Sequence, residues 1–345
     1  MVFGILGHMK IAFFQVEDWE IEHIKQQLAG HELFFSKEKL SAEALPVQRD
    51  FEVVSVFVGS KIDHTVLAAL PNLKLVTTRS TGFDHIDLPM AESMNIATGY
   101  VPGYGDNTVA EFAFGLILAL SRKIYDSVDR LRETGVYSYV GLRGFDLQEK
   151  TIGVVGTGRI GQHAIRIAKG FGMNVVAYDA FPKEELAKEL GFTYMPFDEL
   201  IGRSDVITLH VPYLPSTHHL INMENITKVK KGALLVNTAR GAVVETDALV
   251  KGLSEGILGG AGLDVLEEEG VLADEKTLVL YGHPEEHNLK TVLENHVLID
   301  MPNVLVTPHN AFNTQEALQR ILDTDICNIQ EFVDKGVAKC PIPGK

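Results

Sequence analysis

Arg240, Glu269 and His309 each follow a short apolar run rich in β-branched residues: GALLVNT before the arginine, GLDVL before the glutamate and NVLVTP before the histidine. In an open α/β sheet, ligands collect in the crevice beyond the carboxyl ends of the strands, where such residues would converge. Arginine keeps its charge at any working pH, and its planar fork of donors matches a carboxylate. An imidazole can give or take a proton near neutrality, and a neighbouring carboxylate favours its charged form and fixes its orientation. Together the three could hold a 2-oxo acid by its carboxylate and carbonyl, with the histidine protonating the carbonyl oxygen as hydride reaches the carbon.

A hydride donor is written into TIGVVGTGRIGQHAIRIAKGFGMNVVAYD. Gly156, Gly158 and Gly161 have GxGxxG spacing between a predicted strand and an amphipathic helix. The first glycine allows the tight turn, the second lets amides approach a pyrophosphate, and the third lets helix and strand pack closely. The pyrophosphate would sit on the helix N-terminus. Asp179 ends the next strand, where a carboxylate accepts from a ribose 2'-hydroxyl and repels a 2'-phosphate. That favours NAD over NADP. Arg159 lies inside the fingerprint and could touch a phosphate, but it does not follow the acid and argues little for NADP.

These residues need a framework, and the chain supplies one. From Lys10, β-rich runs (KIAFFQ, HELFFS, FEVVSVFV, LKLVTTRS, NIATGY) alternate with helical stretches, the pattern of a parallel sheet covered on both faces. A second series from Thr151 (TIGVVG, MNVVAYD, DVITLHV, GALLVNT, GGAGLDVL, NVLVTP) has about the strands of a six-stranded doubly wound sheet. Thr108-Val-Ala-Glu111 reads as a capping box. The helix it opens is apolar on nearly every side, which predicts burial between domains or subunits and makes a homodimer the expected assembly. The stretch from about 314 to 336 reads as a last helix that returns to the first domain. The boundaries expected are therefore 9–107 with 308–345 for one domain and 108–307 for the other.

At 345 residues the chain has room for two domains. Its 46% hydrophobic and 22% charged residues are the balance of a globular protein. Lysine and arginine total 31 against 46 aspartate and glutamate, a formal charge of -15 with no basic stretch, so nucleic acid and anionic membrane are poor partners. The longest apolar run, FAFGLILAL, is far short of the ~20 residues of a spanning helix. Cys327 and Cys340 form neither a disulfide framework nor a CxxC pair, which suits a reduced cytoplasm. Met9 reads as the natural start, with residues 1–8 an appended remnant.

Several stretches, TRSTGFDHID (78–87), the glycine fingerprint, NTARG (237–241), GLDVLEEE (262–269) and TPHNAF (307–312), resemble the D-isomer-specific 2-hydroxyacid dehydrogenases, and the similarity extends from Met9 onward. Within that family they look most like the D-lactate dehydrogenase branch. The resemblance implies a Rossmann domain and a flavodoxin-like substrate domain built from both chain ends. It makes Arg240, Glu269 and His309 the catalytic trio. It sets Thr81 and Gly82 backbone on the substrate carboxylate and Tyr104 at the pocket wall, with Phe312 where that branch often has tyrosine. Along NAD it places Ile160, His210, Val211, Pro212, Thr217, Thr238, Ala239 and Arg240, with Asp264 on the carboxamide and His309 beside the nicotinamide. The implied activity is NADH-dependent reduction of a small 2-oxo acid, pyruvate foremost, to the D-2-hydroxy acid. Reduction of hydroxypyruvate, glyoxylate or a branched-chain oxo acid, or NADH sensing by a corepressor-like binding protein, stay open.

Plainer readings compete at single positions. Arg240 alone could cap strand carbonyls, Glu269 alone is the end of a solvated charge run, and an isolated His309 is more often structural. His283, His287 and His296 lie in a charged, irregular insertion, 270–302. No cysteine or aspartate cluster accompanies them and Pro284 breaks the helix that would align the first two, so they read as surface loop and no metal is expected.

Overall fold

The computed structural model describes residues 7–273 and 287–343. Two compact units divide the chain: one runs to Tyr104 and resumes at Thr314, the other is Gly105–Asn313. Residues 308–313 thus pack with the second unit rather than with the terminal segment expected from the sequence, because the amides of His309, Asn310 and Ala311 all donate to Asp264.

The first unit holds β1 (Lys10–Phe14), β2 (Glu32–Ser36), β3 (Val53–Val56), β4 (Leu75–Thr78) and β5 (Ala97–Gly99) in the order β2-β1-β3-β4-β5, all parallel. This is the flavodoxin-type winding. Successive strand side chains face opposite ways, and KIAFF uses both faces. Ile11 and Phe13 pack with Ile24 and Leu28 and with Leu322, Ile326 and Ile329 of the C-terminal helix Gln315–Lys335. Ala12 and Phe14 pack on the other side with Val54, Val56, Val66 and Leu67. A buried polar knot fixes the C-terminal helix to the sheet. Asp325 accepts from Ser55 Oγ at 2.8 Å and from Thr77 Oγ1 at 2.6 Å, and Arg79 donates to Ser55 Oγ and to the carbonyls of Phe14 and Gln15. Burial pushes the Asp325 carboxyl up, against the pull of Arg79 and the two hydroxyls.

The second unit is a parallel sheet of β6 (Thr151–Val155), β7 (Asn174–Tyr178), β8 (Thr193–Tyr194), β9 (Val206–Leu209), β10 (Ala233–Asn237), β11 (Leu258–Leu263) and β12 (Val304–Val306), ordered β12-β11-β10-β9-β6-β7-β8. The strand order reverses between β6 and β9, which defines the ligand crevice of a Rossmann sheet. The sheet has seven strands, not six. β8, the outer neighbour of β7, is only two residues long, too short to leave a period in the sequence.

The apolar helix, Asp106–Ser121, begins two residues before the expected capping box, with Gly105 as cap and no side-chain capping bond. Glu111 instead accepts from the Asn107 side chain at 3.0 Å. One apolar face is buried within the second unit, while Phe112, Leu118, Ala119 and Leu120 are only partly covered. Ala110, Ala113, Phe114 and Ile117 join a core with Ala164, Ile165 and Ala168 of the helix Arg159–Gly170. Opposite, a Cβ on Gly262 would lie 2.9 Å from Leu116 Cβ, which explains the glycine-rich β11: the strand is bare where the helix presses on it. The segment read as an irregular insertion is largely helical where described, with helices Glu269–Ala273 and Leu289–Asp300, the latter capped by Asn288 onto Thr291 N. His283 falls outside the described residues.

Candidate active site

The glycine turn follows β6. Gly156 has φ +93, a left-handed conformation that favours glycine. A Cβ there would also meet the His210 carbonyl oxygen at 2.5 Å, and one on Gly161 would meet Gly156 O at 2.0 Å. So β6, β9 and the following helix close on one another through bare backbone. A Cβ on Gly158, the cap of that helix, would meet no atom within 4 Å, which leaves room in front of the helix N-terminus. Ile160, in the first turn, packs inward against the core. Arg159 is engaged by Asp106, with Nε 2.6 Å from Oδ2, rather than presented alone to a phosphate.

Asp179 stands just past β7. Its Oδ2 accepts from Thr157 N at 2.7 Å and Thr157 Oγ1 at 2.8 Å, and its Oδ1 from Phe181 N at 2.9 Å. Burial pushes this carboxyl up, but the hydrogen bonds outweigh it and hold the group below the usual carboxylate range, so it is ionised at neutral pH. After β9, burial pushes His210 down to about 4, so its ring is neutral; Nε2 lies 3.0 Å from Thr208 Oγ1. Val211 lies against Gly156, and Thr217 closes the Pro212–Thr217 turn by donating to the Pro212 carbonyl.

β10, β11 and β12 are neighbours, with Asn237 opposite Leu263 and Leu263 opposite Val306. Arg240, Glu269 and His309 therefore leave the same edge from three adjacent strands. Asn237 shapes the arginine turn, accepting from Ala239 N and donating to Arg240 O, while Arg240 Nη1 donates to Ala239 O at 2.8 Å. Thr238 Oγ1 is buried and has no hydrogen-bond partner among the described residues. His309 Nδ1 is 2.9 Å from Glu269 Oε1, and Glu269 Oε2 accepts from Leu266 N. His309 is held at φ +50, with its amide donating to Asp264 O and Thr307 O. Asp264 itself takes the Thr307 hydroxyl and the amides of Asn310 and Ala311. Burial pushes its carboxyl up, opposed by those bonds. Phe312 sets its ring edge-on to His309, centroids 6.4 Å apart.

The other two glutamates of LEEE are occupied as well. Glu267 pairs with His219 at 2.8 Å and accepts from Thr246 N and Oγ1; Glu268 pairs with His287 at 2.9 Å. Neither pairing shows in a local sequence pattern, because each joins residues of separate segments. In the first unit, Thr81 Oγ1 donates to Val101 O, Gly82 O accepts from Ser80 Oγ, and Tyr104 O accepts from Arg320 Nε. Among the described residues, no group of three or more His, Cys, Asp or Glu is arranged to hold a metal ion.

Residues 114–311 match the family model of the D-isomer specific 2-hydroxyacid dehydrogenase, NAD binding domain. The chain belongs to the D-isomer-specific 2-hydroxyacid dehydrogenase family. It is 40% identical over 328 residues to a 2-hydroxyacid dehydrogenase homolog of Zymomonas mobilis, covering 94% of this chain and 96% of that one. Among solved structures, D-lactate dehydrogenase from Aquifex aeolicus, complexed with NAD and lactic acid, superposes with a TM-score of 0.84 at 35% identity, covering 97% of this chain and 99% of that one. The pyruvate reductase of Chlamydomonas reinhardtii superposes at 0.81 with 36% identity, covering 95% and 97%. This dehydrogenase is NAD-dependent, and its second unit carries the features that fit the cofactor: the bare Gly158, the ionised Asp179 and the buried, unpartnered Thr238 hydroxyl.

Proposed function

We propose that this dehydrogenase reduces a small 2-oxo acid, pyruvate foremost, to the D-2-hydroxy acid with NADH, and runs the reverse reaction. The observation that carries the reading is the His309–Glu269 contact at a strand-end edge shared with Arg240. NADH, when bound, supplies the hydride. Glu269 faces Nδ1 of His309, so Nε2 is the atom free to carry the proton for the substrate carbonyl. Arg240 holds the substrate carboxylate with its fork of donors; Thr81, Gly82 and Tyr104 keep the substrate-binding roles that the family resemblance implies. Phe312 takes up space beside His309 and favours a short substrate side chain. Pyruvate is supported by the likeness to the A. aeolicus D-lactate dehydrogenase, complexed with lactic acid, and to the C. reinhardtii pyruvate reductase. Gly156, Gly158, Ile160, Gly161, Asp179, His210 to Pro212, Thr217, Thr238, Ala239 and Asp264 line NAD. The unpaired Cys327 and Cys340 support a cytoplasmic location.

We also propose a homodimer, on a different helix from the one the sequence singled out. On the helix Ile124–Thr134, Ile124, Tyr125, Val128 and Leu131 form one exposed apolar face, continued by Val136, Tyr137, Tyr139 and Val140. Such a face marks an association surface.

The test of function is a panel of 2-oxo acids with NADH and with NADPH, read at the nicotinamide absorbance band. Pyruvate with NADH should give the highest kcat/KM. A higher value for a longer or aromatic oxo acid would overturn the substrate, and no turnover with any member would leave the NADH-sensing alternative.

A further inference from the structure

We propose that Thr157 and Tyr194 act with Asp179 as the selector between NAD and NADP, through a one-way chain of hydrogen bonds in which Tyr194 serves only by orienting Thr157. The proposal rests on Asp179 being the ribose ligand. Tyr194 lies on β8, two strands from the glycine turn, and its hydroxyl is 2.8 Å from Thr157 Oγ1. Thr157 Oγ1 is in turn 2.8 Å from Asp179 Oδ2, and Thr157 N reaches the same oxygen at 2.7 Å.

Proton counting sets the direction of this chain. An ionised carboxylate only accepts, so the single Thr157 hydroxyl proton points to Asp179. The Tyr194 hydroxyl must then donate to Thr157. Both hydroxyl protons are committed inward; Thr157 holds Asp179 Oδ2 through two donors, while the Phe181 amide holds Oδ1. The rim offered to the ribose thus has acceptors and no side-chain donor from this trio. A 2'-hydroxyl donates into such a rim; a 2'-phosphate, which only accepts at neutral pH, finds negative charge and lone pairs. Thr157, together with the Phe181 amide on the other oxygen, thereby orients Asp179 and keeps it ionised, and an ordinary edge-strand tyrosine becomes part of cofactor choice.

The experiment measures NADH and NADPH dissociation constants by fluorescence titration, without oxo acid, for wild type, Asp179→Ala, Thr157→Val, Thr157→Ser, Tyr194→Phe and the Thr157→Val/Tyr194→Phe double variant. A hydrogen bond to a charged group outweighs one between neutral groups, so Thr157→Val should weaken NADH by about tenfold and Tyr194→Phe by about threefold. NADPH should change by less than about twofold in each, narrowing the preference. Thr157→Ser, which keeps the hydroxyl, should restore wild-type preference. The double variant should be no weaker than Thr157→Val alone, since Tyr194 has nothing left to orient.

Additive effects in the double variant, or equal loss of both cofactors in Tyr194→Phe, would overturn the chain and leave Tyr194 as packing. If Asp179→Ala narrows the preference while the Thr157 and Tyr194 variants do not, the chain fails and the ribose assignment stands. If Asp179→Ala itself keeps the wild-type preference, that assignment fails and the proposal goes with it.

Discussion

Three consecutive glutamates, 267 to 269, each pair with a different histidine, and in the proposed reaction only the Glu269–His309 pair handles the proton. His219 and His287 serve loops, while His309 shares its edge with Arg240. Glu269→Gln removes the negative charge beside His309 and keeps the shape. Reduction needs the charged ring and oxidation the neutral ring, so the alkaline limb for reduction should shift to lower pH and the acidic limb for oxidation should extend downward by the same amount. Profiles of kcat/KM in both directions that stay at the wild-type positions would detach Glu269 from the proton. Asp179 gives a second pH signature with the opposite partner. Its carboxyl sits below the usual range, so the charge proposed to bind ribose persists as pH falls through that range and is lost only below it. NADH affinity measured against pH should therefore stay level across the ordinary carboxylate region; a fall centred there would mean that another carboxylate controls binding. The spacing of strand ends made the trio and the fingerprint legible in the sequence. Thr157–Tyr194 and Glu267–His219 were not, because each depends on strand or loop registers that no local pattern encodes.

Long, β-branched strands were legible because a strand buried on both faces has to be apolar throughout. β8 and the start of the helix Asp106–Ser121 were not. A two-residue strand has no period, and a Thr-x-x-Glu pattern says nothing once Gly105 and the Asp106–Arg159 pair already settle the helix start. Glycine contacts do the finer positioning between elements. A Cβ on Gly241 would lie 2.1 Å from Leu266 C and 2.4 Å from Glu267 N, so the turn after Arg240 is pressed directly onto the turn that leads to Glu269. Neither neighbour is a flexible side-chain end, so Gly241→Ala must push two backbones apart. Sites of this kind lose function when their members move by a fraction of an ångström. The expected outcome is a loss of at least about tenfold in kcat/KM for the oxo acid, about 1.4 kcal/mol of transition-state binding, with a smaller change in NADH affinity. Equal losses in both would show that the contact supports the whole sheet end and not the spacing of Arg240 and Glu269.

At the scale of the whole chain, the C-terminal helix belongs to the first sheet: Asp325 and Thr77 are bonded across 248 positions. The sequence suggested this return from chain order alone, since a helix after a completed Rossmann sheet has little left to cover there. Assembly was harder to read. Apolar composition pointed to Asp106–Ser121 as the interface, but its Ala110, Ala113, Phe114 and Ile117 pack inside its own unit, while the more charged helix Ile124–Thr134 leaves Ile124, Val128 and Leu131 exposed. With a formal charge of -15 per chain, two copies repel at long range, so their association has to come from apolar area at short range. Leu131→Glu places a carboxylate in the middle of that face on both copies, where burial would leave it unpaired. Wild type should sediment at twice the 38.0 kDa of one chain and the variant at one. A wild-type monomer at micromolar concentration would overturn the dimer, and a variant that still sediments as a dimer would move the interface elsewhere. Raising salt should strengthen the wild-type dimer, because it screens the repulsion and leaves the apolar contact intact.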